Sequence, residues 1–163
     1  MPEAIEALLD AAFGVDRHAR TAYRIRAGMH WLSHLSFAAM DDAGSLLGIL
    51  QCWPVALRCG EERTHPLTLV GPVAVAPAQQ RGGIGRRMMD ALMAQVDAGA
   101  PDTATLVMIG DPEYYGRFYG FSADTTGGWD VPGPVERHRL LAKYAPCVML
   151  PERGTLGPLQ LGR

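Results

Sequence analysis

Apolar positions along the chain follow two periodicities, and the switches between them outline the architecture. In residues 2–13, Ile5, Leu8, Leu9 and Ala12 share one helical face, Glu3, Glu6 and Asp10 lie opposite, and Gly14 follows. This is an amphipathic helix with a glycine stop. Residues 16–26 read as a second helix, opened by Asp16 as N-cap and carrying Arg17, His18, Arg20, Arg24 and Arg26. Residues 35–40 and 46–57 are extended and apolar with Asp41, Asp42 and Gly44 between them, which predicts a hairpin. A second polar turn at Gly60, Glu61 and Glu62 leads into residues 68–75, nearly all apolar and rich in valine, as a strand buried on both faces reads. Helical spacing returns over residues 83–98, where Ile84, Met88, Leu92 and Val96 step by four. The apolar run 104–109 then follows a helix, so it predicts a strand joined by a parallel crossover. Residues 139–150 are expected to close the sheet, and the proline- and glycine-rich tail after Pro151 to be loosely held. The pattern predicts an α/β (α+β) protein with a mostly antiparallel sheet flanked by helices: one domain over residues 1–150 and a tail over 151–163.

Two prolines qualify this picture. Proline lacks a ladder donor, so Pro54 and Pro72 each predict a place where strand pairing breaks. At Pro72 the break has a chemical use: if the strand parts from its next neighbour there, the N–H and C=O groups of Val73 and Val75 are free to pair with an amide-bearing ligand.

Pro77 ends the same strand, and Gly82, Gly83 and Gly85 follow before the helix, with Arg81, Arg86 and Arg87 around them. A helix start has unpaired N–H groups and about half a positive charge. Glycines let backbone amides close on a phosphate oxygen. A P-loop would need Lys-Ser or Lys-Thr after Gly85, where Arg86-Arg87 stands. The dinucleotide fingerprint would need its glycines directly at the strand end, and here Pro77 and a polar turn intervene. The run Gln80-Arg81-Gly82-Gly83-Ile84-Gly85, read as Gln-x-x-Gly-x-Gly after Val73-Ala74-Val75-x-Pro77, resembles the pyrophosphate loop of the GNAT superfamily of N-acetyltransferases.

That resemblance covers the chain from its first helix to about residue 150 and implies acetyl-CoA as cosubstrate. The site residues it implies are Val73, Ala74 and Val75 along the pantetheine arm, in a splay between the central strands, and Gln80, Arg81, Gly82, Gly83, Ile84, Gly85 and Arg86 around the diphosphate. It also implies an N–H near Val73 that polarises the thioester carbonyl. The second chemical stretch is residues 110–121, GDPEYYGRFYGF, where Asp111 and Pro112 open a short helix. GNAT proteins often carry a general-acid tyrosine four residues before a Gly-Phe pair. Here Tyr115 stands five before Gly120-Phe121, with Tyr119 the apparent insertion. Tyr115 is the preferred acid and coenzyme contact, Tyr119 the second choice, and aromatic packing without proton transfer the bland alternative. GNAT domains usually open with a strand, whereas this sequence starts at the following helix, so the expectation is either that the strand is missing or that the true start lies upstream.

Composition adds limits. The 163 residues, 48% of them hydrophobic, suit one globular domain, and a net charge of −2 gives no general pull toward nucleic acid. Cys52, Cys59 and Cys147 show no paired spacing, so neither a disulfide framework nor a zinc site is indicated, and a reducing, cytoplasmic setting follows. His30 and His34 stand four apart but lead into a strand, which argues against a metal. No run reaches the ~18 apolar residues of a membrane span. The basic residues of 16–26 suit an acidic substrate, a coenzyme phosphate or a solvated face. A general base is the gap: residues 67–76 hold no carboxylate, and Glu61, Glu62 and His65 qualify only by position, with a water chain as the alternative. The expected partners are acetyl-CoA and an amine, with a homodimer allowed and neither nucleic acid nor membrane. A non-catalytic acyl-CoA sensor is the alternative function.

Overall fold

The computed structural model describes residues 1–159. Helix α1 (Pro2–Phe13) precedes a 3-10 turn (Arg17–Ala19), the short helix α2 (Thr21–Ile25), and strands β1 (Phe37–Met40), β2 (Leu46–Arg58) and β3 (Thr64–Val75). Then come α3 (Ile84–Asp97), β4 (Thr105–Ile109), α4 (Pro112–Tyr119), β5 (Gly128–Asp130), β6 (Leu140–Tyr144) and β7 (Arg153–Pro158). The strands form a seven-stranded sheet in the order β5-β7-β2-β3-β4-β6, with β1 also on β2. All pairs are antiparallel except β3–β4 and β5–β7. The expected hairpin and central strands are therefore present.

Strand alternation distributes the core over both sheet faces. Leu50, Cys52, Val70, Leu106 and Met108 pack with Met88, Met89 and Leu92 of α3 on one face. Trp53, Val55, Leu69, Val107 and Leu140 pack with Ile25 and Trp129 on the other. Leu8 and Leu9 of α1 cover Ile49 and Ala74. Val70 and Val73 lie on the α3 face although three residues apart, an odd step that strict alternation forbids. A bulge at Gly71-Pro72 supplies the extra residue, opposite the register shift between Leu50 and Cys52.

Pro54 also marks a break. The outer edge of β2 pairs with β1 as far as Leu50 and with β7 from Val55 onward. Between them Cys52 accepts from Leu32 N at 2.7 Å and donates to Ser36 Oγ at 3.1 Å.

Three expectations are corrected. The single helix over 16–26 is a 3-10 turn and a five-residue helix, interrupted at Arg20, whose backbone is extended. The cause is tertiary: Arg17 is buried against Glu6 and Asp10 of α1, while Thr21 Oγ1 donates to Pro134 O at 2.6 Å, so the two halves are held by different neighbours. The closing strand over 139–150 is only Leu140–Tyr144: Ala145 N still donates to Ala104 O, but Pro146 has no N–H for the ladder and Val148 N closes a turn on Ala145 O. The tail is not loose, since β7 pairs with β2 and β5, and Leu156 is buried. Gln160 and the residues after it lie outside the described residues.

Candidate active site

Two ladder pairs join β3 to β4, Thr68 with Leu106 and Leu69 with Val107. Beyond Leu69 the strands part. On its other side β3 stays paired to β2 up to Val75. Ala76 N donates to Leu47 O at 2.8 Å, which fixes the phase of that ladder, because hydrogen-bonding residues alternate along an antiparallel pair. Ala74 therefore turns its N–H and C=O toward β2, and Val73 and Val75 turn theirs into the gap. Of the three strand residues expected at the ligand, Val73 and Val75 have free backbone groups there. Ala74 does not, and its side chain is buried beneath α1.

At the far end of β3 the chain makes a 3-10 turn (Pro77–Gln79) and enters α3 through Gly83, whose left-handed backbone (φ 76°) suits glycine. Arg87 N donates to Gly83 O at 3.0 Å, so the N–H groups of Gly83, Ile84, Gly85 and Arg86 precede the first helical bond, and no side chain caps them. Gln80, Arg81, Gly82 and Gly83 are exposed. Ile84 is buried, and it anchors the turn. A Cβ on Gly48 of β2 would come within 2.8 Å of Ile84 Cγ2 and 3.0 Å of Met88 Cε, so glycine there lets α3 sit tight on the sheet. Ile84 thus offers the site its N–H alone. Arg86 stacks its guanidinium 4.4 Å from the Phe118 ring, which ties α4 to the first turn of α3.

Helix α4 begins as expected: Asp111 Oδ1 accepts from Glu113 N at 3.0 Å, with Pro112 in the first turn. It ends in a left-handed Gly120, with Gly120 N bonded to Gly116 O and Phe121 N to Tyr115 O. Its two candidate tyrosines part company. Tyr115 lines a cavity of about 320 Å³ in the gap, its ring so close over Gly110 that a Cβ there would lie 2.8 Å away. Tyr119 faces the core with α3, and its buried hydroxyl has no hydrogen-bond partner. Burial pushes the Tyr115 phenol above its ordinary value; Tyr114 and Asp111 push the same way and Arg139 opposes. Burial and then Tyr114 hold Tyr119 up as well.

The remaining cavity wall comes from segments far apart in sequence. Phe13 comes from α1, Tyr23 from α2 with Arg20 and Arg26 at its two ends, Gly71, Pro72 and Val73 from β3, Asp111 from the α4 cap, and Arg139 from just before β6. Arg139 reaches it because Ile109 pairs with Leu140, and its Nε donates to Gly110 O at 3.3 Å. Arg26 lies between the Tyr23 and Trp53 rings, 4.1 Å and 3.7 Å from their centroids. Arg139 and Asp111 carry no sequence signal for this placement. One closes a loop, and the other reads as a helix cap.

The candidate bases in the turn before β3 lie elsewhere. His65 is eight residues along an extended strand from Val73, roughly 26 Å at the usual rise. His30 and His34 do not share a helix face: His34 sits in the 3-10 turn Ser33–Leu35, near Asp102 Oδ2 at 3.2 Å, and His30 precedes it. Among the described residues no group of His, Cys, Asp and Glu could hold a metal, and no helix is long and apolar enough to cross a membrane.

The structure thus combines a splayed mixed sheet, a glycine-rich turn into α3 with uncapped N–H groups at one end of the gap, and a tyrosine at the other. The sequence matches the Acetyltransferase (GNAT) domain over residues 2–123, and the chain belongs to that family. Its structure is similar to the GNAT family N-acetyltransferase YhbS of Escherichia coli in complex with CoA, at 25% identity over 86% of this chain and 73% of that one (TM-score 0.63). It is also similar to a GNAT family acetyltransferase of Brucella melitensis in complex with acetyl-CoA, at 26% identity over 93% and 85% (TM-score 0.60). No curated protein sequence matches the chain.

Proposed function

We propose that this acetyltransferase moves an acetyl group from acetyl-CoA to a primary amine by direct attack in a ternary complex. One observation carries the reading: the free backbone groups of Val73 and Val75 face a gap that has unpaired loop amides at one end and Tyr115 at the other. In this reading the diphosphate lies on the N–H groups of Gly83 to Arg86, Gly82 N being bonded to Gln79 O at 3.1 Å, the pantetheine amides pair with Val75 and with the Val73 C=O as a missing strand would, and the thioester reaches the cavity. The helix-end charge contributes only ~0.3 to 2 kcal/mol, whereas micromolar binding needs about 8. The loop amides and the strand pairing must together supply the difference.

The amine first loses its ammonium proton to solvent. Its lone pair attacks the thioester carbon, with the Val73 N–H donating to the developing oxyanion. The C–N bond forms, the C–S bond breaks, the departing thiolate takes the Tyr115 proton, and the second amine proton returns to Tyr115 through solvent. Phenol-to-thiolate transfer is uphill by about 2 kcal/mol at ordinary values, and burial of Tyr115 makes it steeper. The same shift keeps Tyr115 protonated through neutral pH, which is the form a donor needs. Tyr119, without a place in the cavity wall, has no part in this step.

The competing reading is an acyl-CoA sensor. It rests on Asp111, the only carboxylate lining the cavity among the described residues, being engaged as the α4 cap. Acetyl-CoA should raise the melting temperature while ATP and NADH do not, and thiol release with an amine panel separates enzyme from sensor. No shift with acetyl-CoA contradicts the coenzyme assignment, and a shift without turnover of any amine favours the sensor.

A further inference from the structure

The acceptor end of the cavity is strongly cationic. Arg20, Arg26 and Arg139 line it against one carboxylate, Asp111, and none of the three arginines forms a salt bridge among the described residues. Arg17, by contrast, is buried with Glu6 and Asp10 as partners. Each cavity arginine is also held. Arg20 donates to Phe13 O at 3.1 Å and lies over the Phe13 ring, Arg26 is clamped between Tyr23 and Trp53, and Arg139 is tethered by Nε to Gly110 O. These contacts orient the guanidinium groups, Arg26 half-buried and Arg20 and Arg139 exposed, and leave further N–H donors uncommitted for an oxyanion.

The coenzyme phosphates do not account for them. The nest adjoins the Val75 end of β3, where a Cβ on Gly85 would lie 3.6 Å from Val75 Cγ2. The arginine-lined wall surrounds Gly71, Pro72 and Val73, and it includes no residue of the loop from Ala76 to Arg86. Along the proposed coenzyme path, phosphate and arginines therefore stand at opposite ends.

We infer that the acceptor is an anionic amine, carrying a carboxylate beside its attacking nitrogen, with Arg20, Arg26 and Arg139 holding the carboxylate while the nitrogen faces the thioester near Val73. This rests on the acetyl-CoA reading above. The same charges disfavour polyamines and other polycations.

The test compares acceptors in pairs. α-Amino acids, ω-amino acids and dipeptides are each set against their own carboxamides at equal free-amine concentration, with spermidine as a polycation and thiol release as readout. A charge-assisted contact is worth about 1.5 to 3 kcal/mol, so kcat/KM for the best carboxylate should exceed that of its amide by roughly 10- to 100-fold. The ratio should fall toward one in Arg20→Gln and Arg139→Gln, and Arg26→Lys should retain more of it than Arg26→Gln. Equal use of acid and amide, preference for spermidine, or a ratio unmoved by all the arginine variants overturns the inference. The melting-temperature shift with acetyl-CoA, measured on the same variants, reports the coenzyme reading separately: a shift with no carboxylate preference sinks only the acceptor assignment, and no shift sinks both.

Discussion

The two ends of β3 are built from similar apolar residues and behave as opposites. At the near end Thr68 and Leu69 are paired with β2 on one side and β4 on the other, and Thr68 Oγ1 donates to Asp102 O at 2.6 Å. At the far end Val73 and Val75 have a neighbour on one side only. The difference comes from the Gly71-Pro72 bulge, which bends β3 away where β4 stops at Ile109. Closed pairing stabilises the fold, and a strand opened next to an intact one presents backbone groups held rigid by the ladder behind them. A backbone-recognition site needs both.

Substitutions at the two ends should therefore separate function from stability. Tyr115→Phe removes the proposed proton donor at the open end, and kcat should fall by about 10² to 10⁴ with the acetyl-CoA-induced melting shift retained. A loss of that shift instead would make Tyr115 a packing residue. At the closed end, Leu106→Ala empties a fully buried site and should cost about 2 to 5 kcal/mol in denaturant unfolding, with coenzyme affinity per folded molecule preserved. Gly83→Val places a β-branched residue at φ 76°. It should cost about 1 to 2 kcal/mol locally and weaken acetyl-CoA binding about tenfold by titration calorimetry, an effect confined to the open end. Thr68→Val removes one hydrogen bond at the closed end and should cost about 1 kcal/mol without changing KM for acetyl-CoA.

The pH profile adds a check. In the proposed mechanism Tyr115 acts as the protonated phenol, and burial holds it above the ordinary ~10. Turnover should rise with pH as the amine loses its proton and should not decline on account of Tyr115 below about pH 10. A falling limb near neutrality would assign the donor to another group.

Much of this arrangement was legible in the sequence because it is written in backbone punctuation. Pro72 announced the parting of β3, the glycines from Gly82 to Gly85 announced the nest, and Asp111-Pro112 announced the start of α4. Each acts within a few residues of itself, through a missing donor or a missing Cβ. The arginine-lined wall of the cavity was not legible. Arg26 gains its setting from Trp53, and Arg139 gains its place through the pairing of Ile109 with Leu140, so their role depends on contacts between distant segments. The basic run 16–26 did suggest an anionic ligand but not which of its arginines would face one, and tertiary ties at Arg17 and Thr21 decided that by breaking the helix. The proposed bases failed for a related reason. Nearness in sequence to β3 put Glu61, Glu62 and His65 at its closed end.

Amide hydrogen exchange at Val73 and Val75, measured with and without acetyl-CoA, tests the open strand most directly. Both amides should exchange rapidly in the free protein, far faster than those of Leu69 and Leu106, and become protected when the coenzyme is added. Protection of Val73 and Val75 equal to Leu69 in the free protein, or unchanged exchange at saturating acetyl-CoA, would contradict the account.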